Sequence, residues 1–116
     1  MQISVDQQNL QEIWQQIIKI MNSRPEPFKH VNTVYQFEIF GEQSGVNQLI
    51  LKDGIAIVNT GVNDESECTI ILNFNDFKEL LAGKLNSTTA YMMGKLRVNG
   101  SLGLALRLEK LLKQYR

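Results

Sequence analysis

The segment Cys68 to Leu112, CTIILNFNDFKELLAGKLNSTTAYMMGKLRVNGSLGLALRLEKLL, constrains the fold of this chain more than any other stretch. Two short strands alternate in it with three short amphipathic helices, and almost everything that points inward is aliphatic, Met or aromatic. Cys68, Ile70 and Leu72 share one face of the first strand. Leu96 and Val98 share one face of the second, with Lys95, Arg97 and Asn99 opposite. Asn73 or Asn75 caps a helix in which Phe74, Phe77, Leu80 and Leu81 fall on one side, and Gly83 ends it in a left-handed conformation. A second short helix is expected from Asn86 to Met93. Ser101 caps the last helix, which carries Leu104, Leu108, Leu111, Leu112 and Tyr115, with Leu102, Ala105 and Leu106 beside them. More than half the circumference of this helix is apolar, which is wider than a single core contact requires. Three uses fit the excess: lining a cavity, forming a dimer contact, or lying under another helix.

The first half supplies a helix and three strands. Leu10, Ile13, Trp14, Ile17, Ile20 and Met21 recur at helical spacing against Gln11, Glu12, Gln15, Gln16 and Lys19, with Asp6 as the expected N-cap. Pro25 stops this helix, because proline cannot continue the hydrogen-bond ladder and constrains the residue before it. After the connector Arg24 to Lys29, the run Val31 to Phe40 alternates, with Tyr35, Phe37 and Ile39 inward and Gln36 and Glu38 outward. Gln48 to Lys52 and Ile55 to Asn59 are strands joined through Asp53-Gly54, whose residues tolerate the positive φ angles of a tight hairpin. Gly61 to Glu67 is a polar turn. Strands flanked by helices in this order give an α+β fold: a five-stranded mixed sheet with helices packed on one face. At 116 residues the chain is expected to form one domain, spanning residues 1–116.

Chemistry is excluded more readily than it is assigned. Twelve basic residues balance twelve acidic ones, so no long-range field draws nucleic acid, and none is expected as a partner. The composition, 43% hydrophobic and 21% charged, is that of a globular chain. Cys68 is the one cysteine, which rules out an internal disulfide and suits a small buried apolar role. His30 is the one histidine and has no second ligand at metal spacing. Asp64, Glu65 and Glu67 lack calcium-loop spacing and read as a solvated turn. Ser44, Ser66, Ser87 and Ser101 lack a nucleophile context. No phosphate-binding glycine loop is present, and Asn86-Ser87-Thr88 is an incidental glycosylation match. The chain reads as a non-enzyme with no metal and no cofactor. MQISVDQQNLQEIWQQ contains no signal peptide pattern, and no apolar run reaches a membrane span, so a cytoplasmic location is expected.

The second half resembles the sterol carrier protein 2 family of nonspecific lipid-transfer domains. The resemblance runs through Cys68-Thr69-Ile70-Ile71-Leu72, Asp76-Phe77, Leu80 and Gly83-Lys84-Leu85-Asn86. It resumes in Ala90-Tyr91-Met92-Met93-Gly94-Lys95-Leu96 and Val98-Asn99-Gly100, and closes in Leu102-Gly103-Leu104-Ala105 and Leu108. The first half agrees in element order. Ser87 stands where many relatives have proline, and Ser101 replaces a more usual Asn or Asp. The ending Gln114-Tyr115-Arg116 lacks the peroxisomal tripeptide, which suggests a bacterial stand-alone member. The resemblance implies an apolar tunnel between sheet and helices that holds a fatty acid, acyl-CoA, sterol-like or other apolar molecule.

On that reading the cavity-lining candidates are Phe77, Leu81, Tyr91, Met92, Met93, Leu96, Val98, Leu102, Ala105 and Leu106. Methionine is flexible and polarisable, so Met92 and Met93 suit a space that adapts to different chains, or they fill core. Phe77 and Leu81, like Trp14 and Ile17, read as core, with contact to the ligand as the alternative. Transient membrane contact and a homodimer go with this picture. The alternative is a non-catalytic interaction or dimerisation module, accessory to a lipid- or quinone-metabolising enzyme.

Overall fold

The computed structural model describes residues 9–115. Helix α1 (Leu10–Ser23) begins where Asn9 accepts a hydrogen bond from Glu12 N at 2.8 Å while its own N–H reaches Glu12 Oε1 at 3.5 Å. This reciprocal capping box supersedes the expected cap, and Asp6 lies outside the described residues. The buried face of α1 is Leu10, Ile13, Trp14, Ile17 and Met21. A single 3-10 turn over Glu26–Phe28 follows and buries Phe28.

Five strands come next: β1 (Thr33–Phe40), β2 (Gly45–Lys52), β3 (Ile55–Thr60), β4 (Cys68–Asn73) and β5 (Leu96–Gly100). They form one sheet in the order β3-β2-β1-β4-β5. The β1–β2, β2–β3 and β4–β5 pairs are antiparallel, with Gln36 opposite Gln48, Leu51 opposite Ala56 and Ile70 opposite Val98. β1 and β4 are parallel, with Phe37 beside Ile70, so the sheet is mixed as expected. Asp53 and Gly54 both take positive φ, 52° and 76°, as a tight hairpin between β2 and β3 requires.

The remaining helices are α2 (Phe74–Ala82), α3 (Ser87–Met92) and α4 (Leu102–Lys113). Asn73, rather than Asn75, caps α2 by accepting from Asp76 N at 2.7 Å, and Gly83 closes it at φ 78°. α1, α2 and α4 cover the sheet face that carries Tyr35, Phe37, Ile39, Leu49, Leu51, Ile70 and Leu72, all buried. α3 packs against β5 and α4. At the edge of the sheet, Asn22 of α1 donates to Ala56 O at 2.9 Å and accepts from Ala56 N at 2.8 Å. Two backbone groups of edge strand β3 are thereby satisfied by a side chain and withheld from pairing with another strand.

The opposite face is less solvated than strand alternation suggests. Gln48 is fully buried and donates to Gln36 Oε1 at 2.9 Å and to Asp64 O at 2.7 Å. Its carbonyl accepts from Asn63 N and Asp64 N. These bonds fold the polar turn before β4 onto the middle of the sheet, and Ser66 meets Thr69 there at 2.9 Å. Gln36 and Thr69 therefore lie on the predicted face yet are buried. At the far end of β5, Gly100 has φ 93°, and a Cβ there would come within 2.7 Å of Glu67 O. Only glycine fits where the two strand ends cross so closely.

Face assignment makes a graded prediction. Ile70→Asp places an unpaired carboxylate in the interior and should abolish cooperative folding. Arg97→Asp, on the exposed row, should change stability by about 0.5 kcal/mol or less. Thr69→Asp should fall between the two because Thr69 is covered. Urea denaturation of the three variants checks the order, and equal loss at all three positions would overturn it.

Candidate functional site

Helix α4 is the element on which the site is built, and it is fixed at both ends. Ser101 Oγ accepts from Leu104 N at 3.1 Å, and the Tyr35 hydroxyl donates to Leu104 O at 2.8 Å. At the other end Tyr115 donates to Arg24 O at 2.8 Å, under the Arg24 guanidinium at 5.0 Å from its ring centre. Arg24 also donates to Gln114 O. Burial pushes the Tyr35 hydroxyl up to about 12, an effect that the nearby Arg107 opposes, and burial pushes Tyr115 to about 12 as well. Both hydroxyls thus remain neutral donors near neutral pH.

With α4 so held, an apolar cleft of about 70 Å3 remains between α3, β5 and α4. Its floor is Ile70 and Leu96 of the sheet with Leu80 of α2. Ser87, Thr88 and Tyr91 form the α3 wall, and Leu102, Ala105, Leu106, Leu108, Glu109 and Leu112 form the α4 wall. Its polar lining residues are Ser87, Thr88, Tyr91 and Glu109. Glu109 Oε1 accepts from Ser87 N at 3.5 Å and lies 3.7 Å from Lys113 Nζ, so it bridges α3 and α4.

Beyond the cleft, a second void of about 10 Å3 lies among Trp14, Ile17, Phe37, Leu49, Phe77 and Leu81. Leu108 and Leu112 line both hollows and form the partition between them. The three rings meet with centres 5.1 Å (Trp14–Phe37), 5.4 Å (Trp14–Phe77) and 5.7 Å (Phe37–Phe77) apart. A wider hollow of about 540 Å3 on the other flank of α4 is an open groove with mixed walls, including His30, Glu67, Arg107 and Lys110. It lacks the apolar enclosure of the cleft. Among the described residues no group of three or more His, Cys, Asp or Glu could hold a metal ion.

Of the candidates read from sequence, Tyr91, Leu96, Leu102, Ala105 and Leu106 stand in the cleft wall. Phe77 and Leu81 border the inner void instead. Val98 is half-buried against the core and lines neither. Met92 and Met93 project outward, 80% and 65% exposed. A helix of six residues, as α3 is, presents too few turns for periodicity to fix which side faces in. The cleft residues that sequence reasoning did not single out are Ile70, Leu80, Ser87, Thr88, Leu108, Glu109 and Leu112. Leu108 and Leu112 stand four apart on the apolar stripe of α4, and that spacing was their signal. The polar three carry none.

The fold and cleft define a class: α+β domains whose helices enclose apolar space against one face of a five-stranded mixed sheet. Residues 14–113 match the model of the SCP-2 sterol transfer family, and the chain belongs to that family. It is 38% identical over 112 residues to hydroxysteroid dehydrogenase-like protein 2 of Xenopus tropicalis, covering 96% of this chain and 26% of that protein. The chain thus spans about a quarter of the length of this curated relative. Among solved structures, apo sterol carrier protein 2 from Yarrowia lipolytica superposes with a TM-score of 0.77 at 24% identity, over 99% of this chain and 98% of that one. Palmitated SCP2L2 from Aedes aegypti gives 0.72 at 20% identity, over 90% and 95%. These likenesses show the same fold. Family and fold together support the binding or transfer of apolar lipid.

Cys68 lies at the start of β4, and burial pushes its thiol from 9.0 up to about 11. For Cys68, Tyr35 and Tyr115 the folded state holds the proton more tightly than the unfolded chain. Their contribution to stability is complete below about pH 9 and is lost as pH rises through 11 to 12. The urea midpoint should therefore be level from pH 7 to 9 and fall above it. Ellman's reagent should react with Cys68 only as the protein unfolds. A midpoint that holds or rises to pH 11 would contradict this assignment.

Proposed function

We propose that the chain is a non-catalytic lipid-binding unit, acting as one domain in the cytoplasm, that holds one apolar molecule in the cleft between α3, β5 and α4. The observation that carries this reading is the cleft itself: its lining is mostly aliphatic, Ser87, Thr88, Tyr91 and Glu109 apart, and it lies between helices over an apolar sheet. The named state of the Aedes structure, palmitated, supports an acyl-type ligand. Binding is burial, with roughly 0.8 kcal/mol from each methylene removed from water. No covalent step is part of the reading.

A ligand requires the cleft to widen, since sites that enclose such molecules run to roughly 300–1,000 Å3. The moving part on this reading is α3, a six-residue helix, rather than α4, whose ends are held by Ser101, Tyr35 and Tyr115. Tyr91, Leu102 and Leu106 of the cleft wall are exposed, as are Met92 and Met93, which follow Tyr91 in the chain. Such a surface is suited to brief contact with a lipid layer from which cargo is drawn. The same patch supports a second reading: it could seat a second copy, or a partner enzyme of lipid or quinone metabolism, with the cleft remaining narrow.

Titration of delipidated protein with fluorescent fatty acids of graded length separates the two. The expected affinity is micromolar, with weak salt dependence because the chain is net neutral. Leu106→Trp should weaken long chains more than short ones, provided circular dichroism shows the fold intact. His30→Ala and Cys68→Ala should stay within a few-fold of wild type. If no chain length binds, and native mass spectrometry shows a lipid-free dimer, the carrier reading fails and the interaction module stands.

A further inference from the structure

The neutral total of this chain conceals a division. Residues 84–116 hold seven basic residues and one acidic, and residues 1–83 hold five basic and eleven acidic, so the two parts carry net charges of +6 and −6. The basic part supplies α3, β5 and α4, the elements around the cleft. Its cations Lys84, Lys95, Arg97, Arg107, Lys110 and Lys113 are all exposed. Its one acid, Glu109, is turned to Ser87 N and Lys113 Nζ. Six of the eleven acids of the other part sit in β1 or in the turns between β1 and β4. The turn that carries Asp64 is folded over the sheet face away from the helices. Glu67 reaches the helix side, where it lines the open groove with two cations, Arg107 and Lys110.

Apolar surface is gathered in the same part of the molecule. Tyr91, Met92 and Met93 at the end of α3, and Leu102 and Leu106 on α4, are exposed. Tyr91, Leu102 and Leu106 belong to the cleft wall. Leu102, Leu106 and Lys110 recur every four residues, so they form one row along the outside of α4, apolar toward its start and cationic toward its end. Lys95 follows Met93 by two residues. Large apolar tips bordered by lysines suit the headgroup layer of an anionic bilayer. The tips enter the acyl boundary, and the lysine stems lie along it with their ammonium groups at the level of the phosphates. A second copy fits less well. The acidic part has an exposed apolar patch of its own, Ile55 and Ile57 of β3 with Val62 beyond it, but β3 and β5 are opposite edges of the sheet. Joining the basic patch to that one is a head-to-tail contact, which does not close into a dimer.

We propose that α3, β5 and α4 form a docking face for an anionic lipid surface, and that the charge division turns the cleft toward that surface. The proposal rests on the lipid-binding reading above and adds to it the partner and the orientation. The two parts act as a dipole. The basic side is drawn to the membrane and the acidic side is repelled, so the molecule arrives with α3 and α4 first. Cargo then passes between bilayer and cleft along the wall formed by Tyr91, Leu102 and Leu106.

The probes are vesicles of phosphatidylcholine alone and vesicles with a third of it replaced by phosphatidylglycerol. The delipidated full chain should sediment with the second kind and not with the first, and added salt should release it. Lys95→Gln and Lys110→Gln should each weaken this binding about fivefold, the contribution of one cation near an anionic surface. Lys19→Gln and Lys52→Gln remove the same charge from exposed positions on α1 and β2 and should leave it unchanged. Met92→Ser should weaken it. The four lysine variants should keep wild-type affinity for a fluorescent fatty acid. Equal weakening by all four would show that total charge and not a face governs binding, and would overturn the proposal. Vesicle-free protein that self-associates through Lys95 and Lys110, with no vesicle binding, would give the face to a second copy instead. If anionic vesicles go unbound while the fatty acid still titrates, the docking proposal is wrong and the lipid-binding reading survives. If neither binds, both fall.

Discussion

Everything in this molecule hangs on the meeting of three rings from three elements: Trp14 of α1, Phe37 of β1 and Phe77 of α2. Their centres lie within 5.7 Å of one another. Such contacts contribute roughly 0.5–1.5 kcal/mol per pair beyond the area they bury. The cluster sets how far the first helix and the second can approach the sheet. It also fills the interior on the β1 side, so that any usable space is left toward β5. There the facing residues are Ile70, Leu80, Leu96 and the stripe of α4, aliphatic side chains that leave a cleft where rings would have closed it.

Local signals made most of the architecture legible. The 3.6-residue spacing from Leu10 to Met21, the alternation in Tyr35, Phe37 and Ile39, Asp53-Gly54, and Gly83 each reflect a local rule, and each element formed. Strand order was not legible, because the parallel pairing of Phe37 with Ile70 joins residues with no local relation. The start of α1 was readable in principle: Asn9 and Glu12 stand at capping-box spacing, a stronger signal than the cap-type residue Asp6 alone. Gln48 shows the opposite case. Its sequence context assigned it no face, and the turn folded over it explains its burial.

The candidate site divides along the same line. The breadth of the apolar surface on α4 left three uses open, a cavity, a dimer contact or a neighbouring helix, and Leu102, Ala105 and Leu106 stand in the cleft wall. Direction was the missing variable for α3. Tyr91 and Met92 are neighbours in sequence, yet the first lines the cleft and the second points into solvent. The spacing of Leu108 and Leu112 put them on the apolar stripe of α4, but not that they line the cleft on one side and the small void on the other.

The central claim is that lipid enters between α3 and α4 and is held in the cleft against Leu106, Leu108 and Leu112. Methyl-labelled protein loaded with an acyl chain tests this most directly, through nuclear Overhauser contacts between ligand methylenes and leucine methyls. The account predicts contacts to Leu106, Leu108 and Leu112 together, one ligand per chain. Contacts confined to the Met92 and Met93 methyls, with none to Leu108 or Leu112, would place the lipid on the surface and contradict it.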